Sequence, residues 1–312
     1  VTRGVLDRLR LRRIRRLTSG TIDHEHPAWS PDGRTLAFTA GPADVRRIYL
    51  VDRKGRFGSG VAPGGPQASR PRWAPDGRRL AFEVRSSEGA ATIVVQDLPD
   101  MGLDPRVLVA PRARADAAPA PALYVHAGYS PDGRSVAYAS DEGSPGHFHL
   151  WILDLETQGR RQLTDVADRN DAHPAFSPDG TVLAFHGYQG QQATQSSLYL
   201  LNIQTGALLR LTDAPGFDKH ACFATQDVIV FHREHPDGSQ ELRALHVIEG
   251  SEVPIELPDG GKRDAKQPAV RITRRGRIRV AFAGRPRETR AGSPHPYDLY
   301  IAALSGLSEG GS

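Results

Sequence analysis

His173-Pro-Ala-Phe-Ser-Pro-Asp-Gly180, followed by the apolar run Leu183-Ala-Phe185 and then His186, decides the fold. The Ser-Pro-Asp-Gly core reads as a tight turn. Proline presets φ at the first corner, aspartate bonds its own backbone, and glycine accepts a positive φ. The aromatic and aliphatic residues on either side suit strands packed on both faces. One copy is therefore a β-hairpin.

The copy recurs. Pro27-Ala-Trp-Ser-Pro-Asp-Gly33, Pro71-Arg-Trp-Ala-Pro-Asp-Gly77 and Gly128-Tyr-Ser-Pro-Asp-Gly133 precede Leu36-Ala-Phe38, Leu80-Ala-Phe82 and Val136-Ala-Tyr138. Two degenerate copies follow, Ala221-Cys-Phe223 with Ile229-Val-Phe231 and Pro268-Ala-Val270 with Val280-Ala-Phe282. A third strand follows the hairpin, as in Leu150-Trp-Ile-Leu-Asp154, and a fourth, as in Arg161-Gln-Leu-Thr-Asp165. Four strands repeated at about 47 residues predict an all-β, six-bladed β-propeller with four-stranded antiparallel blades. Residues 1–312 form one propeller, with blades starting near 24, 68, 124, 171, 218 and 265. The sixth copy lacks a fourth strand, and Ile14-Arg-Arg-Leu-Thr18 supplies one. Residues 10–18 therefore close blade 6 and remove an open sheet edge.

Composition bounds the function. Net charge is +4 and the pI near 9.4, with Lys and Arg scattered and no basic stripe interleaved with aromatics, so no nucleic-acid partner is expected. No run of eighteen apolar residues suggests a membrane span. No apolar stretch follows the basic N-terminal run, so the expected location is cytoplasmic, or periplasmic or secreted if a signal has been removed. The single cysteine, Cys222, excludes an intrachain disulfide and reads as core.

The Ser-Pro-Asp-Gly hairpins followed by Leu-Ala-Phe resemble the TolB-type propeller repeat, related in architecture to WD40 blades. Such propellers serve as protein scaffolds, peptidase gates and enzymes, so the resemblance implies fold more than function. TolB proteins also carry an N-terminal α/β domain and a secretion signal, and neither is visible here. No Gly-x-Ser-x-Gly elbow appears, so a complete prolyl-oligopeptidase-type enzyme is not expected.

Aligning the copies on the residue before the first-strand proline gives a column: His26, Arg70, His126, His173, His220, Gln267, at spacings of 44, 56, 47, 47 and 47. Four of the chain's twelve histidines share this column. The first strand of a blade lines the channel, so four imidazoles should converge on the axis. Imidazole is a common ligand for divalent transition metals, here zinc, iron, manganese, nickel or copper. His26, His126, His173 and His220 are the candidate ligands; the alternative is a polar, wet channel mouth. Arg70 and Gln267 fill the other two directions, to hold an anionic or polar substrate.

A second column follows the Leu-Ala-Phe run: Thr39, Glu83, Ala139, His186, His232, Ala283. Counting outward from the turn places His186 opposite His173 and Glu83 opposite Arg70, unless a bulge slips the register. His186, His232 and Glu25 are the candidate proton-transfer groups. Glu83 and Tyr188 join Arg70 and Gln267 as substrate-binding candidates. Asp23, Asp171 and Asp218 precede three column histidines, either to orient an imidazole or as ordinary loop residues. The strand 2–3 loops and blade-to-blade loops share the mouth where the column begins. They include residues 111–121, 187–196, 233–239 and 284–296, the last with Arg285, Arg287 and Arg290.

Two functions follow. The first is a metal-dependent lyase or hydrolase acting on a small anionic substrate. The strings His173-Pro-Ala-Phe-Ser-Pro-Asp-Gly180 and Ala184-Phe-His186-Gly are similar to those of oligogalacturonate lyases, metal-dependent propellers that cleave uronate oligomers by β-elimination. A four-histidine iron site would instead resemble carotenoid-cleaving oxygenases. The second is a non-catalytic TolB-like scaffold binding a protein partner, with or without a structural metal.

Overall fold

Each hairpin turn is wired by its own side chains. Ser30 Oγ donates to Asp32 Oδ1 (2.7 Å) and accepts Thr35 N–H (3.0 Å), while Asp32 Oδ1 accepts Arg34 N–H (3.0 Å). Gly33 takes φ 64°, where a Cβ would be strained. The same wiring recurs at Ser130 with Asp132 and at Ser177 with Asp179. The Leu-Thr pair of the fourth strand has an equally local cause. Thr18, Thr164 and Thr212 Oγ1 accept the N–H of Leu299, Leu150 and Leu198, and each preceding leucine N–H donates to the same residue's carbonyl.

The computed structural model describes residues 6, 9–42, 44–58, 60–61, 67–98, 105–109, 122–190, 193–287 and 295–307. Six antiparallel sheets form the blades of the propeller. Their inner strands are His24–Trp29, Gln67–Trp73, Tyr124–Tyr129, Arg169–Phe176, Phe217–Phe223 and Arg263–Ile272, within two residues of the expected starts. Blade 6 is closed by Arg10–Arg16, paired antiparallel with Asp298–Ser305. The outer edge of blade 1 is ragged. It touches Arg47–Asp52 through the isolated bridges Ile48↔Val61 and Val51↔Phe57, as befits the glycine-rich Phe57-Gly-Ser-Gly-Val61, which lacks a strand's alternation. The loop at 111–121 lies outside the described residues.

The Leu-Ala-Phe run explains how the blades pack. Side chains alternate across a strand. Phe38, Phe82, Tyr138, Phe185, Phe231 and Phe282 are wholly buried, each in a cluster with the preceding blade. The alanine between faces the next blade: Ala37, Ala81, Ala137 and Ala184 lie in the following cluster, and Val230 and Ala281 take that place in blades 5 and 6. Large against small fills the gap without overpacking. Six interblade clusters thus replace one central core, which leaves the axis free for polar groups.

Candidate functional site

The six column residues share a rare backbone. His26, Arg70, His126, His173, His220 and Gln267 all have left-handed φ, between 52° and 60°. For a residue with a Cβ this costs on the order of 1 kcal/mol. Each sits where the pairing with the second strand skips: Ala172 faces His186 and Ala175 faces Ala184, leaving His173 and Pro174 in a bulge. The expected direct pairing is thereby corrected by one residue. His186 faces Ala172, His232 faces Lys219 and Glu83 faces Ser69. The bulge lies in the inner strand and not in the turn, which is intact.

The bulge frees a backbone N–H, and in four blades the neighbouring blade accepts it. Arg70 N–H donates to Thr39 Oγ1 (3.0 Å), His126 N–H to Glu83 Oε1 (2.6 Å) and Gln267 N–H to His232 Nδ1 (3.4 Å). His26 N–H donates to Gln267 Oε1 (2.9 Å), and Gln267 Nε2 lies 3.0 Å from His26 Nε2. Thr39, Glu83 and His232 therefore stitch one blade to the next. Glu83 Oε2 also takes Arg70 Nη1 at 2.8 Å, so that ion pair forms despite the slipped register.

The bulges bring the imidazoles together. Ring centroids of His126 and His173 are 3.6 Å apart, His173 and His220 4.0 Å, and His26 and His220 5.8 Å. His186 lies 5.0 Å from His173, His232 5.0 Å from His220, and Tyr188 6.5 Å from His186. All six rings are held neutral. Burial comes first, and neighbouring charges, Arg70 for most of the rings and Lys219 for His186 and His232, push the same way. His186 falls to about 3. Seven buried nitrogens of these six rings have no hydrogen-bond partner among the described residues: Nδ1 of His26, His126 and His186, and both nitrogens of His173 and His220.

Neutral, unpartnered imidazole nitrogens are the chemistry a divalent transition metal requires. The arrangement as it stands is less exacting. Among the described residues, no group of three or more His, Cys, Asp or Glu is set around one point to hold a metal ion. The donors fit by type; their rings do not converge.

The acidic candidates stand apart from the ring. Glu25 bonds Arg46 Nη1 and Lys266 Nζ, each at 2.5 Å. Burial opposes its ionisation, but the charge and hydrogen bond of Lys266 and the hydrogen bond of Arg46 work against that, and its pKa is lowered to about 2, which makes it a poor base at neutral pH. Asp171 is gripped by Arg169 (2.6 and 3.0 Å) and Asp218 by Arg233 (2.6 and 2.8 Å). Asp23 accepts Tyr297 N–H. Arg285 and Arg287 both lean on Asp264, at 3.4 and 3.0 Å, and Arg290 lies outside the described residues.

Access comes from an unexpected side. The sequence places the working face on the loop mouth. A cavity of about 340 Å³ instead reaches His173 and His220 from the hairpin mouth. Trp29, Trp73, Tyr129, Phe176, Phe223 and Val270 wall it, and Arg72 projects into it. These residues form further columns, three and two places after the histidines, so the repeat alignment contained the signal.

Fold and site together define a TolB-like six-bladed β-propeller. The Tol-Pal system protein TolB of Francisella tularensis is 33% identical over 84 residues, 27% of this chain and only 18% of that protein. An uncharacterized protein of Agrobacterium fabrum, Atu1656, is 26% identical over 243 residues, 73% of this chain and 74% of its own. Among solved structures, TolB from Acinetobacter baumannii superposes with a TM-score of 0.60 at 18% identity, covering 81% of this chain and 58% of that one. An oligogalacturonate lyase in complex with manganese gives 0.56 at 13% identity, covering 94% and 93%. A gluconolactonase from Xanthomonas campestris gives 0.61 at 15%, covering 95% and 90%. No family model matches the chain. At these identities the structural likeness establishes the fold alone, and the neighbours include both enzymes and TolB scaffolds.

Proposed function

We propose that this chain is a metal-dependent lyase or hydrolase that acts on a small anionic substrate. The observation that carries it is the set of seven orphaned ring nitrogens on neutral, buried imidazoles, six of them on residues with a strained backbone. Strain of this kind persists where the surrounding structure enforces it and concentrates at functional sites. His26, His126, His173 and His220 would be the residues to hold the metal. A bound divalent ion would supply Lewis-acid polarisation or an acidified water. The manganese-bound lyase and the gluconolactonase among the structural neighbours support this class.

The chain's own residues divide the remaining work. His186, stacked beside His173 with a free Nδ1, is the proton-transfer candidate nearest the ring, although burial holds it at about 3, a weak base at neutral pH. His232 is tied through Nδ1 to the blade 6 backbone, and Glu25 is locked in two ion pairs. Both position the ring in this geometry, as do Arg70, Glu83 and Gln267. Tyr188 closes the outer side of His186.

A second reading is a TolB-like scaffold that binds a protein partner at one mouth. The sequence relatives favour it. With it goes the periplasmic alternative, since nothing in the comparisons supports a cytoplasmic location. No helix among the described residues is long and apolar enough to cross a membrane.

Metal analysis of protein purified without a histidine tag separates the two. A stoichiometric transition metal, lost in His173→Gln and His220→Gln but kept in His246→Gln, supports the enzyme. His246 caps a turn through Nδ1 to Glu249 N–H, at the opposite strand end. Metal-free protein, or equal metal in all three variants, refutes the metal reading.

A further inference from the structure

We propose that the cavity on the hairpin side is a binding site for a small monoanionic organic acid seated on Arg72. The site shares only the anionic substrate with the function proposed above and does not require a metal. At the second position after the column, five blades carry small residues: Ala28, Gly128, Ala175, Cys222 and Ala269. Blade 2 alone carries a large one, Arg72, and it occupies the room the others leave.

Arg72 lacks a counter-ion. Its Nη1 donates to the Pro71 carbonyl at 3.0 Å, and no described carboxylate lies within ion-pair distance. No Asp or Glu lines the cavity. Glu83, whose charge Arg72 feels, is committed to Arg70 and to His126 N–H. Burial pushes the Arg72 pKa down, the cost of a guanidinium held out of water without a partner. An anion relieves that cost, and the planar fork of the guanidinium matches a carboxylate with two parallel hydrogen bonds.

The walls choose the rest of the ligand. One cation suits one negative charge. Trp29, Trp73, Tyr129, Phe176 and Phe223 offer flat apolar faces to an organic body. A volume of about 340 Å³ admits only a small molecule. His173 and His220 form the floor, so such an acid would meet the imidazoles with the end remote from the hairpin mouth.

Benzoate is a suitable probe, with benzyl alcohol as the neutral analogue and sulfate as the inorganic control. Titration of EDTA-treated protein by calorimetry should show benzoate binding at least about tenfold tighter than either. Emission from Trp29 and Trp73 should report the same Kd. Arg72→Gln should erase the preference over benzyl alcohol, and Ala175→Leu, which narrows the cavity and keeps the guanidinium, should weaken both organic ligands. If Arg72→Gln does not fold, Arg72→Lys should keep the preference at reduced affinity. Equal binding of benzoate and benzyl alcohol, sulfate binding as tight as benzoate, or a preference that survives Arg72→Gln would overturn the proposal. Because the protein is metal-free, this failure is separate from that of the metal reading.

Discussion

Lowering the pH from 7.5 to 5.5 should destabilise this protein more than its carboxylates alone would allow. His26, His126, His173, His186, His220 and His232 have folded pKa values depressed below the ordinary 6.5, His186 to about 3. The unfolded chain therefore binds protons that the native ring refuses. The stability they represent is complete above about pH 6.5 and declines as pH falls below it, toward each folded pKa. At pH 5.5 each fully neutral ring costs about 1.4 kcal/mol, and six cost about 8. Water reaching His173 and His220 from the cavity would reduce that, yet half of it is still about 4 kcal/mol, against a total stability of roughly 5–15 kcal/mol. Glu25, held at about 2, begins to lose its contribution only below its ordinary value of 4.5. Asp171, raised by burial, acts in the opposite direction. Urea unfolding of EDTA-treated protein, followed by tryptophan emission, measures the change. The double variant His173→Gln/His220→Gln should show about 3 kcal/mol less of it. Stability constant to within about 1 kcal/mol between pH 7.5 and 5.5 would refute the argument that these rings are neutral in the fold.

Deleting residues 1–18 should cost at least about 5 kcal/mol or cause aggregation, because it removes buried Leu9, Leu11 and Leu17 and bares the edge of Asp298–Ser305; a truncated protein with an unchanged melting temperature would refute closure by the N-terminal strand. His220→Gly should be more stable than His220→Ala by about 1 kcal/mol in urea unfolding, the reverse of the usual order in a strand, because position 220 has φ 54°. The usual order would show that the left-handed bulge is absent.

The propeller was legible because its determinants are local and repeated. Ser177-Pro-Asp-Gly180 makes its own hydrogen bonds, and Leu183-Ala-Phe185 already encodes large toward one neighbour and small toward the other. The histidine column was legible for the same reason, since alignment of repeats exposes any position of constant character. The bulge was not. Nothing in His-Pro-Ala-Phe announces a left-handed residue, and the symmetric count from the turn assumed an unbroken ladder. Glu25 was legible as an acid beside the column but not as a spent one. Its partners, Arg46 and Lys266, come from the loop before the third strand of blade 1 and from blade 6, and only the closed ring brings all three together.

The bulge also accounts for how the ring is held. A flat inner strand, paired on one side only, would turn its remaining N–H groups to the channel and leave adjacent blades joined by apolar packing alone. Four of the left-handed residues, His26, Arg70, His126 and Gln267, donate an N–H to the neighbouring blade. In four of the six junctions a side chain there is recorded accepting it: Thr39, Glu83, His232 and Gln267. Those polar links lie at the same level as the imidazoles, so the feature that stitches the blades also aims the column inward. Side chains near the ring thus serve two ends that mutation can separate. Replacing Glu83 disturbs a junction and an ion pair before it disturbs any ligand, whereas His173 and His220, with both ring nitrogens free, hold no junction through their side chains. A structural role would fall on the first kind of residue. The second kind lines the cavity and makes no hydrogen bond through its rings among the described residues, so its replacement tests ligand binding apart from the junctions.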